Sequence, residues 1–404
     1  MGGQVPGLRI AIPVAWLGLA NLPFGLFGGL ALITMPQLLA ARHVPEPQIA
    51  AITAAAMIPT VCGFLVAPIL DVRFNRRSYA LVFGALTALT GWFSLSQLGS
   101  LGVLTAVLVT GFLFANLFYN ALGGWLGDLV PAGHEGRLGA TFTTGNVGGF
   151  GIAAILFISL IRGLSPTWGP VAVGAVIALP LVLLVVVPVS TAERRSAQES
   201  FGTLLRDLAQ LLRSRVVLRT LLLFCLPASS FALTNILGAV GRDFQASERF
   251  VAVLAGTGVT AAAIAGAMLV PLVIKRVPPL LLYLAIGSGG ALFTLALTVM
   301  PRTPGVFALA MVAENVFQSA AFVVEATIIF RSIGDDNPLA STQFALLQAA
   351  TAFPITYMQA LDGQGYGAGG LTGGLLTDAG LSLLACVALL PLVLAWQRRE
   401  RLAA

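Results

Sequence analysis

MVAENVFQSAAFVVEATIIFRS, residues 311–332, has the length and apolarity of a membrane span, yet it contains Glu314 and Glu325. About 20 predominantly apolar residues cross the hydrocarbon core of a bilayer. A carboxylate at that depth costs at least a few kcal/mol and is rarely left facing lipid. Glu314, Gln318 and Glu325 follow an i, i+4, i+11 spacing, almost three whole helical turns, so they share one stripe about 16 Å long. The stripe is expected to face water or solute inside a protein, with Glu314 near mid-membrane and Glu325 nearer the cytoplasm.

The surrounding chain agrees. Its 404 residues are 57% hydrophobic and 9% charged, and the mean hydropathy is +0.94. A soluble domain would carry about 25% charge. The first apolar run, Ile10 to Ala41, is too long for a signal-peptide core, so it reads as a span and no cleavable leader is expected. Apolar runs near 11–40, 49–70, 78–98, 102–127, 138–161, 170–190, 218–240, 251–274, 279–300, 305–330, 340–361 and 374–396 predict twelve spans and an all-α membrane protein.

The net charge of +6 does not point to nucleic acid, because the basic residues sit in short loops. With the N-terminus in the cytoplasm, seventeen Lys and Arg fall inside and only Arg42, Arg162, Arg242, Arg249 and Arg302 fall outside. The positive-inside rule then places both termini in the cytoplasm. The longest polar segment, 191–217, divides the chain into 1–190 and 218–404. Within it, FGTLLRDLAQLLRS carries Leu204, Leu205, Leu208, Leu211 and Leu212 on one helical face, as expected of a linker lying on the membrane surface.

The two halves look related. Pro68 and Pro271, after spans 2 and 8, are 203 residues apart, as are Asp128 and Arg331 after spans 4 and 10. LGATF at Leu138 and LASTQF at Leu339 are 201 apart. Three matches at nearly one offset indicate a duplicated six-span unit. Two pseudo-symmetric six-helix bundles are the plan of the major facilitator fold, with its site near the midplane between them.

Polar residues within spans mark the expected cavity. Asn116, Tyr119 and Asn120 in span 4 stand opposite Glu314 and Gln318 in span 10, and Asn116 and Gln318 are 202 residues apart. A buried carboxyl favours its neutral form, so Glu314 is expected either to exchange the coupling proton or to touch solute; the plainer alternative is a structural carboxyl. Glu325 suits pairing with a cytoplasmic arginine in a closed gate. Asn21 in span 1 and Gln343 in span 11 either line the cavity or bond helix to helix. Asp71, Arg73, Arg76 and Arg77 in the loop after span 2, with Asp128, Arg137 and Arg331, are expected to form the gate.

Several chemistries are not indicated. The sole lysine, Lys275, has no glycine frame for a P-loop. His43 and His134 lack a second ligand, and Cys62, Cys225 and Cys386 are scattered, so neither metal nor disulfides are expected. GQGYGAGGLTGG, 363–374, reads as a flexible outer loop. Enzyme activity and a cofactor are not expected; a proton gradient would supply the drive.

NPLASTQFALLQA, 337–349, resembles the span 11 signature of AmpG-type muropeptide permeases, in the group that includes acetyl-CoA transporters and compact siderophore importers. APILDVRFNRRSYALVFG and GDLVPAGHEGRLGAT resemble that group's loops after spans 2 and 4, with Asp71, Asp128, Pro131 and Arg137 in matching places. Where the family carries acids in span 4, this chain reads NLFYNALGGWLGD, which shifts the expected coupling charge to Glu314. The resemblance implies a monomeric secondary transporter in a bacterial inner membrane, importing a muropeptide-like solute with protons by alternating access. Alternatives are a ferric-siderophore importer, an efflux permease, or a non-transporting receptor of the same fold.

Overall fold

The computed structural model describes residues 14–72, 74–186, 201–237, 240–334 and 337–403. Among these residues there are helices and turns but no strand. Lipid offers no partner for backbone N–H and C=O groups, so a chain this apolar satisfies them within helices. In chain order the spans are α1 (Leu17–Ala40), α2 (Glu46–Cys62), α3 (Arg76–Ser96), α4 (Leu101–Leu129), α5 (Glu135–Gly163) and α6 (Trp168–Val185). The second set is α7 (Arg215–Cys225, resuming at Thr234–Leu237), α8 (Glu248–Val273), α9 (Pro279–Leu297), α10 (Pro304–Ile333), α11 (340–368) and α12 (371–403).

Among the described residues ten helices are long and apolar enough to cross a membrane, α11 and α12 counting as one and α7 not among them, and two features depart from expectation. The glycine-rich stretch 363–374 is helical on both sides of a sharp corner at Gly369 and Gly370, not a flexible loop. Gly370 has φ +60°, a conformation glycine adopts at no steric cost. Gly365 and Gly373 face each other so closely that a Cβ on either would overlap the other helix. In lipid, small residues let helix backbones approach in this way.

The second departure is α7. Its helix stops at Cys225, and LPASSFAL, 226–233, runs irregularly through the depth of the half before a last helical turn. Pro227 starts the break. Ser229 Oγ donates to Tyr283 O at 2.8 Å, and Phe231 O accepts from Gln318 Nε2 at 3.3 Å. Phe231 itself has φ +46°, and its ring stacks on Phe317 at 6.1 Å. Irregular backbone is tolerated at membrane depth only where protein or a water-filled cavity surrounds it.

The cores show how the halves meet. One continuous core joins both halves at the end carrying Arg76, and includes Phe118, Trp125, Phe142, Phe330 and Phe344. Toward the opposite end each half keeps its own core, around Phe27 and Phe112 in one and Phe244 and Phe307 in the other. The halves therefore close on each other at one end. Contact along α5 and α8 continues to mid-depth, where Gly151 lies against Thr260.

Of the linker at 191–217, residues 191–200 lie outside the described residues. Phe201–Arg213 is helical, and Leu211 packs against Val72 and Leu339, one from each half.

Candidate functional site

The closed end is built around Asp71. This carboxylate, at the end of the short helical turns after α2, reaches into the other half. Its Oδ2 accepts from Thr342 N and Thr342 Oγ1, both at 2.7 Å, and its Oδ1 from Ser341 N at 3.2 Å. These are the free donors at the start of α11, and a carboxylate there also meets the positive end of the helix dipole. Asp71 Oδ1 further pairs with Arg76 Nε at 3.0 Å, both side chains buried. Arg76 Nη2 donates to Asn337 O at 2.8 Å and Pro338 O at 3.2 Å, and Nη1 stands 3.8 Å from Asp128. A second pair, Arg331 Nε to Glu135 Oε2 at 3.5 Å, crosses the halves nearer solvent.

The pseudo-symmetric place is apolar. The 203-residue offset carries Asp71 onto Ile274, and Ile274 packs on Gly136 at the start of α5. One junction is thus built on a buried ion pair, and the other packs Ile274 beside the more exposed Arg331–Glu135 pair.

Above the ionic junction lies an aromatic plug. Tyr119 and Phe142 stand 5.0 Å apart, and Phe344 packs on Tyr119, Phe142 and Phe330 at 5.4, 5.9 and 5.7 Å. Gly123 and Gly124 of α4 make room for it. A Cβ on Gly124 would lie 2.5 Å from Ser341 N, so the α4–α11 contact needs a bare backbone.

The stripe on α10 is real, but its neighbour is α9. Glu314 accepts from Thr294 Oγ1, and Glu325 is hydrogen-bonded to the Tyr283 hydroxyl. Tyr283 and Thr294 are also eleven residues apart, so two antiparallel helices carry matched spacings. Both glutamates are buried, Glu314 inside the C-terminal half and Glu325 where it also faces Tyr119 of α4. Glu325 meets Tyr283 rather than, among the described residues, an arginine, and Glu314 turns toward α9 and Asp378 of α12. Gln318, on the same helix, donates to Thr234 Oγ1 at 2.6 Å and so holds the end of the α7 break.

The remaining predicted residues fall in distinct places. Asn116 is buried beside Gly63 and donates to Phe112 O at 2.8 Å; Asn120 is buried one turn further along α4. Asn21 ties α1 to α5 through Phe142 O at 3.0 Å. Gln343 bonds Ser332 O at 2.7 Å and Asn337 Nδ2 at 2.8 Å, which fixes the α10–α11 turn rather than lining a cavity. Arg77 donates to Val185 O at 2.7 Å in its own half, and Arg137 is exposed outside the Asp71 network. Arg73 lies outside the described residues. Sequence reading did not single out Glu135, Tyr283, Thr294, Asn337, Thr342, Asp362 or Asp378. The acids among them were visible as charges near helix ends or within an apolar run.

Comparison with known proteins places this architecture. The family profile described as Major Facilitator Superfamily matches residues 17–356. A search of curated proteins returned no significant match. Among solved structures, the chain is similar to the proton:xylose symporter XylE at 17% identity and a TM-score of 0.69, covering 93% of this chain and 95% of that one. It is similar to the transporter FucP in its outward conformation at 15% identity and 0.69, covering 93% and 98%. It is also similar to the human organic anion transporter MFSD10 at 14% identity and 0.71, covering 95% and 99%. At these identities the structural likeness shows the fold, and the family match carries the assignment: the chain is an integral, multi-pass membrane transporter that belongs to the major facilitator superfamily.

Proposed function

We propose that this transporter imports a polar, muropeptide-like solute together with protons, by alternating access, from a bacterial inner membrane in which it acts as a monomer. The observation that carries the reading is the one-sided closure. A junction held by Asp71, Arg76 and the start of α11 at one end, with separate cores at the other, can be exchanged by rocking the halves about a midplane site. In this reading the basic loops and both termini lie in the cytoplasm, which makes the Arg76 end the cytoplasmic one and the described conformation outward-facing.

Asn116 and Gln318 lie about 21–23 Å from the outer ends of α4 and α10, counting about 1.5 Å per residue, so both reach mid-membrane. In this reading they meet the solute together with Tyr119, itself part of the plug, and Asn120, the next residue of α4. Glu314 and Glu325 serve protons or structure within the C-terminal half rather than solute. The muropeptide class rests on the resemblance of 337–349. That segment supplies the gate through Asn337, Ser341 and Thr342, so it speaks for the transport cycle more strongly than for the solute.

The test is uptake by proteoliposomes under an imposed pH gradient, with labelled anhydro-muropeptide, a ferric siderophore and xylose as separate solutes. Accumulation of the muropeptide that collapses with a proton ionophore, and counterflow without a gradient, are expected. Counterflow of the siderophore alone would replace the solute class, uptake indifferent to the gradient would remove proton coupling, and counterflow of none would overturn the reading.

A further inference from the structure

Asp362 of α11 and Asp378 of α12 each lie eight residues from Gly370 at the outer corner, about 12 Å along their helices at about 1.5 Å per residue. The helix hairpin thus brings them to one depth, and their carboxyls are within hydrogen-bond reach of each other. Both are buried, at 0% and 4% exposure. Neither Asp362 oxygen has a protein donor, nor does Asp378 Oδ1. Glu314 faces Asp378 from α10, with its Oε1 taken by Thr294 of α9 and its Oε2 unpartnered and buried. From α7, the Leu233 backbone N–H reaches Asp378. The charged groups nearer the surface are engaged elsewhere: Arg302 donates to Thr372 Oγ1 at 3.0 Å, and Asp243 accepts from Tyr366 at 2.9 Å.

Two carboxylates in hydrogen-bond reach need a proton between them, because neither can donate once ionised. Two ionised carboxylates this close and out of water would repel strongly. A metal ion is a poorer occupant: among the described residues no three acidic, His or Cys side chains stand close enough to hold one. We propose that the Asp362–Asp378 pair is a proton-carrying site of the C-terminal half, which holds one proton between its carboxyls and connects it to the broken helix α7 through Leu233. Its service in transport rests on the proton-coupled reading above; its existence does not. Adding a second proton neutralises Asp378, weakens its grip on the Leu233 N–H and loosens the segment 226–237.

Infrared difference spectroscopy of the full-length protein in detergent, titrated across neutral pH, tests the site without any solute. Carboxyl-13C aspartate labelling separates this pair from Glu314, whose band does not move with the label. A protonated-carboxyl band that titrates and shifts with the label is expected in the wild type. It is expected to vanish in both Asp362→Asn and Asp378→Asn, because an amide donates to the remaining carboxylate and no shared proton is needed. It should persist in Asp362→Glu, which controls for variants that fail to fold. No labelled band in the wild type, or a band that survives both Asn variants, would overturn the proposal. Amide hydrogen exchange over 226–237 tests the link to α7: protection should fall with acidification in the wild type and be independent of pH in Asp378→Asn. Equal pH dependence in both would overturn that link. Failure of the uptake assay with intact infrared behaviour would leave the site standing and the transport reading overturned.

Discussion

Asp71 of the N-terminal half holds the first turn of α11 in the C-terminal half, with one oxygen accepting from both the N–H and the hydroxyl of Thr342 at 2.7 Å. The contact joins residues 271 positions apart and is shared with the Arg76 guanidinium. One side chain therefore meets the Arg76 guanidinium of its own half and, across the surface that separates when the halves rock apart, a helix dipole and three donors. The closed end is strong because several favourable terms coincide at one oxygen pair, and it is releasable because they can be lost together.

Asp71→Asn removes the charge while keeping the shape. The bonds that cross the halves run from Ser341 and Thr342 to the charged carboxylate; hydrogen bonds to a charged group contribute about 1.5–3 kcal/mol each against about 0.5–1.5 for neutral ones, and about 1.4 kcal/mol is tenfold in an equilibrium. The closed state should lose population relative to the open one by about tenfold or more. Spin labels at the exposed positions Arg137 and Lys275, in a background lacking Cys62, Cys225 and Cys386, would report this as a longer interhalf distance. An unchanged distance distribution would refute the role of Asp71.

Arg331→Gln should do far less. Arg331 is 42% exposed, and its pair with Glu135 spans 3.5 Å, where such pairs contribute about 0–1 kcal/mol. The same labels should show at most about a fivefold change in the closed population. An effect equal to that of Asp71→Asn would mean that the exposed pair, not the buried one, governs closure.

Gly124→Ala tests closure by steric means. The new Cβ would stand 2.5 Å from Ser341 N and 2.6 Å from its Cα, and backbone cannot give way as a flexible side chain can. The contact lies between the halves, so each half should keep its own packing. We expect an apparent melting temperature close to wild type. A cysteine placed at Asn120 should react at least about tenfold faster with an impermeant maleimide added from the Arg76 side, since at least about 1.4 kcal/mol of closure is lost. Equal reactivity would show that α4 and α11 can part locally without opening the gate.

Single-helix periodicity carried much of this fold. The i, i+11 stripe of Glu314 and Glu325 was visible because helical repeat alone sets it. That the stripe meets Tyr283 and Thr294 was not, since which neighbour faces a stripe is decided by how helices assemble. Asp71 was legible as a gate residue from its loop and its arginines. Its partner Thr342 was not, because capping across halves leaves no trace in local sequence. The stretch 363–374 was misread because glycine marks both turns and close helix approach, and in lipid the second use is common. That reading placed Asp362 at a span edge and hid its match with Asp378. The α7 break had a signal in Pro227, Ser229 and Ser230, but a proline alone bends a membrane helix as often as it interrupts one.

Tyr283 and Glu325 provide the last prediction. Both are buried, at 1% and 4% exposure, and the tyrosine hydroxyl donates to the carboxyl. Tyr283→Phe leaves that carboxyl without its donor, which should cost about 1–3 kcal/mol and lower the apparent melting temperature. Glu325→Gln should cost less, because an amide oxygen still accepts from the hydroxyl. In a double-mutant cycle the two substitutions should couple by about 0.5–3 kcal/mol; strict additivity would mean that the pair is not bonded. Because the Tyr283–Glu325 bond lies within one half, Tyr283→Phe should not alter the interhalf distance between labels at Arg137 and Lys275. A change there would return Glu325 to the gate, where its sequence position alone had suggested it belonged.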